Sequence, residues 1–226
     1  HNMTTLSELQ TEIRDYTEVT SNVLSDSVIG TMIDNTEKRV FRTIDLDVSR
    51  SHQTGNLTKD NPFLSMPGDI STTFISVDWM QILDSASNRT FLIQKDLSFL
   101  TEYNKNRNTS GVPKYYGNWD NDTIYLAPTP SSGFIVELAL NKMPDSLKDA
   151  GASGSTWLST NGNDVLLYGC LVEAYKFLKG PADMLQMYQQ SFQDAMKVFA
   201  IEQQGRRRRS EYFDGVLRIP LESAQP

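Results

Sequence analysis

Four consecutive arginines, Arg206, Arg207, Arg208 and Arg209, follow Gly205 near the end of an otherwise acidic chain. Their chemistry is charge-assisted, bidentate pairing with carboxylate or phosphate. Tyr212, Phe213, Val216, Leu217 and Ile219 come next, an apolar set suited to filling pockets on a partner. The run therefore fits either nucleic acid or another protein. Residues 205–226 hold five arginines against Glu211, Asp214 and Glu222, which leaves 16 basic and 25 acidic residues elsewhere. A body at -9 repels a phosphate backbone, and no aromatics are interleaved with the arginines as in many nucleic-acid binders. Protein is the favoured partner.

Catalytic sets are hard to find. His1 precedes the first methionine and reads, with Asn2, as a cloning scar set aside from fold reasoning. His52 lies in a polar stretch with no patterned Asp, Cys or second His, so it reads as a solvated loop residue. Cys170 sits in an apolar helical pattern and reads as a packed core thiol. A single cysteine excludes an intrachain disulfide and a thiolate metal cluster, and fits synthesis in a reducing cytoplasm. Asp120-Asn121-Asp122 echoes the start of a calcium loop but lacks its glycine and distal glutamate, so a hairpin turn is expected. Gly151-Ala152-Ser153-Gly154 lacks the Lys-Ser/Thr of a phosphate-binding loop. The expectation is no enzyme, no metal and no cofactor. No apolar run approaches the roughly 18 residues of a membrane span.

The elements that position these residues are legible in the periodicity. Thr5-Leu6-Ser7-Glu8 reads as a capping box opening a helix over 6–18. Ser25-Asp26 opens a second over 26–46, with Ile29, Met32, Ile33, Val40, Phe41 and Ile44 as its apolar stripe. Residues 49–62 read as a polar loop. A β insert is expected over about 62–141, and its clearest part is a three-stranded antiparallel meander from Tyr116 to Leu140. Residues 148–163 read as a long small-residue loop in which Trp157 and Leu158 dock. Asn163-Asp164 then caps a helix over 163–179, and a last helix runs over 182–204 until Gly205 ends it. Met184, Met187, Tyr188, Phe192, Met196 and Phe199 read most simply as core, with an adaptable partner groove as the sharper alternative. The fold class is therefore α+β: a four-helix body over 3–205 carrying an inserted β module, with 206–226 as an extended basic and aromatic arm.

Several segments, taken in order, resemble tailed-phage head-to-tail adaptor proteins, the connectors of short-tailed viruses. They are "VIGTMIDNTEKRVFRTIDL", "LSMPGDI", "IYLAPTP...FIVELALNKMP", "TWLSTNGNDVLLYGCLVEAYKFLKGPADMLQMY" and the tail "GRRRRSEYFDG". The resemblance spans nearly all of residues 3–215. It implies a structural virion protein, made in the bacterial host cytoplasm, whose subunits form a ring, commonly of twelve, beneath the portal. Such a ring extends the DNA channel, docks the tail or nozzle and lets DNA pass without specific binding. The partners implied are the portal protein, the tail or nozzle protein and neighbouring subunits, with the isolated chain expected to be a monomer. Arg206 to Arg209 with Tyr212, Phe213, Leu217 and Ile219 are the expected partner-binding residues. The rival classes are a nucleic-acid-binding protein using the arginine run and, less favoured, a peptidoglycan hydrolase, for which no positioned glutamate is evident.

Overall fold

A computed structural model describes residues 4–213, with side chains as far as Arg207. Its helices are α1 Leu6–Thr17, α2 Asp26–Thr43, α3 Leu97–Tyr103, α4 Trp157–Asn161, α5 Asn163–Phe177 and α6 Ala182–Phe213. Its strands are β1 Arg50–Asn56, β2 Phe63–Ser65, β3 Ser76–Leu83, β4 Arg89–Phe91, β5 Ile93–Gln94, β6 Ser110–Gly111, β7 Tyr115–Asn118, β8 Thr123–Ala127, β9 Thr129–Pro130 and β10 Ile135–Asn141. The fold is α+β with small, mainly antiparallel sheets. Described residues up to Leu46 and from Asp145 onward form a helical unit, and Asp47–Pro144 form a β unit.

In the helical unit, α5 is the central element. It buries Val165, Leu166, Cys170, Leu171, Val172 and Ala174 on several sides, as a helix surrounded by others must. α1 presents Leu6, Leu9 and Ile13 to the core, and its capping box forms as expected: the Thr5 hydroxyl accepts from Glu8 N at 3.2 Å, and Glu8 Oε2 accepts from Thr5 N at 2.9 Å. α2 buries Ile29, Met32, Ile33 and Val40. It ends at Thr43 rather than residue 46, because Ile44 turns extended and Leu46 docks into the core at 1% exposure. The segment read as a long loop contains α4. Thr156 and Ser159 form a reciprocal cap there, giving a single helical turn the partners its free N–H groups need. α4 runs straight into α5, so Gly162 occupies the cap position expected of Asn163-Asp164.

In the β unit, one sheet has the order β1-β10-β3-β4 and a second β2-β8-β7-β5. Met80, Ile82, Val136, Leu138 and Leu140 of the first share a core with Leu64, Tyr116, Ile124 and Leu126 of the second. Two expectations are corrected here. Residues 49–62 are not a loop throughout, since β1 pairs with β10 along its whole length from Arg50↔Asn141 to Asn56↔Ile135. Its composition hid it, because backbone pairing rather than apolar burial makes it a strand. Nor do the three late strands form one meander. β7 and β8 make the hairpin, but the far side of β8 is taken by β2, so β10 joins the other sheet between β1 and β3.

The largest correction concerns the last helix. α6 does not stop at residue 204 but continues through Gly205 and all four arginines to Phe213. A glycine inside a helix costs about 1 kcal/mol relative to alanine, which good helix formers on either side, arginine among them, readily offset. Arg206 to Arg209, expected in an extended arm, are therefore helix.

Candidate partner-binding site

The arginine run is carried by the overhanging end of α6. This helix has 32 residues and is about 48 Å long. It runs antiparallel to α5: Tyr188 lies 5.1 Å from the Tyr175 ring, Phe192 faces Gly169, and Phe199 reaches Gly162 at the start of α5. α6 continues for about 20 Å beyond Phe199, where α5 no longer lies alongside. Gly205 and the arginines belong to that overhang.

The overhang is tied down at Arg207. Its Nη1 lies 3.2 Å from Asp45 Oδ2, and its Nη2 donates to the Asp45 carbonyl at 2.9 Å. One arginine of the run thus fixes the helix against the chain just after α2. Arg206 is exposed and lines a cleft of about 760 Å³ with Asn161, Asn163, Asp164, Val198 and Glu202. Phe199 contributes to the same cleft, 5.8 Å from the Trp157 ring. Val198 and Ile201 on this part of α6 are 55% and 68% exposed. A cation, carboxylates, amides and uncovered apolar side chains thus meet on one surface. Such a mixture of charged, polar and apolar groups is the composition typical of protein–protein contact surfaces.

The remaining α6 positions divide. Tyr188, Phe192 and Phe199 are buried and belong to the core; Met184 and Met196 are half-buried, and Met187 is exposed. Around Phe192 a second cleft, of about 470 Å³, is lined by Arg39, Lys197 and Met196. Arg39 stands 5.7 Å over the Phe192 ring and pairs with Glu173 at 3.0 Å. Of the expected binding residues, Arg206 and Arg207 have described side chains. Those of Arg208, Arg209, Tyr212 and Phe213, and all of Leu217 and Ile219, lie outside the described residues. The α4 side of the first cleft was missed in the sequence, where its small residues read as loop. The capping pattern Thr156–Ser159 was the available signal.

The residues tested for catalysis fall elsewhere. Cys170 is fully buried, and burial pushes its thiol up to about 12, with Glu37 and Glu173 adding to the rise and Thr36 opposing it. It is no nucleophile in that state. His52 is exposed on β1, its ring 5.7 Å from that of Trp79, so it lies on a strand rather than in a loop. Asp120 accepts from Asp122 N at 2.9 Å in the tight turn joining β7 to β8, as expected of a hairpin. The Gly151–Gly154 segment offers carbonyls, not N–H groups: Gly154 and Ala152 accept from Leu6 N and Ser7 N at the start of α1. No metal-holding group of His, Cys, Asp and Glu occurs among the described residues. No described helix is long and apolar enough to cross a membrane.

Compared with known families, residues 4–219 match the family model described as SU10 adaptor protein. No curated protein matches the chain.

Proposed function

The chain belongs to the SU10 adaptor protein family, a phage head-tail adaptor family, and from that membership we propose that it forms a ring beneath the portal. Its class is a phage structural adaptor and virion component. In the proposed role the ring extends the DNA channel, docks the tail or nozzle and assembles on the portal from a monomer. The docking element is the overhanging end of α6. Arg206, Arg208 and Arg209 pair with acidic groups of the portal or a neighbouring subunit while Arg207 holds the helix at Asp45, and the apolar residues that follow fill pockets there. The observation that carries this reading is the continuity of α6 through the arginine run, anchored at Asp45 by Arg207. A helix presents charges in fixed register, which an acidic groove can match at lower entropic cost than it can match a loose arm. The acidic body serves the channel, since like charge keeps passing DNA from sticking.

The test replaces Arg206, Arg208 and Arg209 by glutamine, whose helix propensity matches that of arginine, and leaves the Arg207–Asp45 anchor in place. With a purified portal ring of the same phage, the variant is expected to lose ring assembly by electron microscopy while keeping the helical circular dichroism of the unaltered chain. Normal assembly, or loss of DNA affinity alone, overturns the docking role.

A further inference from the structure

Among the described residues the four-stranded sheet of the β unit has two open edges, β1 and β4, and their backbone polarity is complementary. The ladder fixes which groups face outward. The Ser49 carbonyl accepts from Lys142 N, and Leu57 N donates to Phe134 O, so odd-numbered residues of β1 bond inward to β10. His52, Thr54 and Asn56 therefore aim N–H and C=O away from the sheet. On the opposite edge, Asp84 N donates to Asn88 O and Leu92 N to Met80 O, so even-numbered residues bond inward to β3. Arg89 and Phe91 aim outward. All five residues are exposed.

Every neighbouring pair in the sheet is antiparallel, and the strand number is even, so β4 runs opposite to β1. The outward-bonding residues of both edges also carry their side chains on the same face. Thr54, Glu137, Gln81 and Phe91 form one row across the sheet, opposite the face that holds Met80, Ile82 and Leu138. Placing β4 of one copy beside β1 of the next thus continues the alternation, the hydrogen-bond pattern and the facing without a break. β1 has seven residues with no proline, no lysine and no internal charge, so it lacks the devices that usually blunt an edge. Phe91, 64% exposed and 6.3 Å from the exposed Trp79 ring, gains a neighbour from β1 of the next copy.

We propose that adjacent copies of this chain join edge to edge, β4 of one adding to β1 of the next, so that the sheet runs on from subunit to subunit. The contact is head-to-tail, the kind that closes rings, and the proposal rests on the ring reading above. With two outward residues on β4 it supplies about four backbone hydrogen bonds per joint. That is weak for a pair, and it is multiplied around a ring held on the portal.

Thr54→Pro tests it. Proline removes an N–H that faces away from β10 and is tolerated on an edge, so the melting curve is expected to stay near that of the unaltered chain. Ring formation on a purified portal ring, seen by electron microscopy, is expected to need at least about tenfold more protein. Independently, Phe91→Cys combined with His52→Cys or Thr54→Cys is expected to give a head-to-tail ladder on non-reducing gels of assembled particles. Each single variant gives dimers at most, and native Cys170 is buried. If Thr54→Pro unfolds the chain, the cysteine pairs decide. Rings at unchanged concentration with folded Thr54→Pro, or no ladder from either pair, sink the edge contact and leave the ring standing. No ring from the unaltered chain sinks both.

Discussion

Glu37 shows how one side chain sets the joint where the chain returns to the helical unit. It is 4% exposed, and its Oε1 accepts from Leu147 N at 2.9 Å. Burial raises its pKa above 4.5, with Asp34 and Asp149 adding to the rise, while the hydrogen bonds from Leu147 and Ser146 oppose it. The folded state therefore holds this proton more tightly than the unfolded chain. Between the ordinary and the raised value, its contribution to stability falls as pH rises, then levels off above the folded value. Glu37→Gln keeps an acceptor for Leu147 and removes the titration, so urea midpoints measured from about pH 4 to about pH 8 are expected to lose that downward slope. Glu37→Ala leaves the buried Leu147 N–H unpaired and is expected to cost about 1–3 kcal/mol at any pH. Equal pH profiles for the glutamine variant and the unaltered chain would show that the carboxylate is not desolvated.

At the scale of elements, two helical glycines have opposite meanings. Gly169 in α5 lies between Thr36 of α2 and Phe192 of α6: a Cβ there would run into Thr36 Cγ2 and stand 2.9 Å from Phe192 Cε2. At Gly205 in α6 no atom of the described residues lies within 4 Å of where a Cβ would stand. Gly169→Ala is expected to destabilise the protein by about 1–2 kcal/mol, overpacking outweighing the gain in helix propensity. Gly205→Ala is expected to strengthen the end of α6 by about 0.5–1 kcal/mol, read as slower amide exchange around residues 202–209. Faster exchange there would mean that Gly205 terminates the helix after all.

At the scale of the molecule, charge decides what the isolated protein grips. The formal charge is -7, and the arginine run is its main basic feature. A protein that neutralises several phosphates loses affinity steeply as salt rises. Fluorescence anisotropy with a short DNA duplex is expected to show weak binding, with a salt slope of magnitude about 2 or less. A slope near that expected for four or more neutralised phosphates would assign the arginines to DNA and overturn the protein-docking role.

The parts that local chemistry controls are legible along the chain. Thr5 and Glu8 announce the start of α1, the apolar spacing of α2, α5 and α6 places their core faces, and Asp120–Asp122 marks the β7–β8 turn. The α+β class was legible for the same reason. Tertiary structure alone decided which strands pair, because a polar strand such as β1 becomes one by hydrogen-bonding to β10, a partner nearly ninety positions away. It also decided how far α6 runs. Gly205 has a modest local preference against helix, which Arg207 bonding to Asp45, 162 positions earlier, helps to override. The cleft at Arg206 exists because α4 and α6 meet there, and their spacing along the chain gives no sign of that meeting.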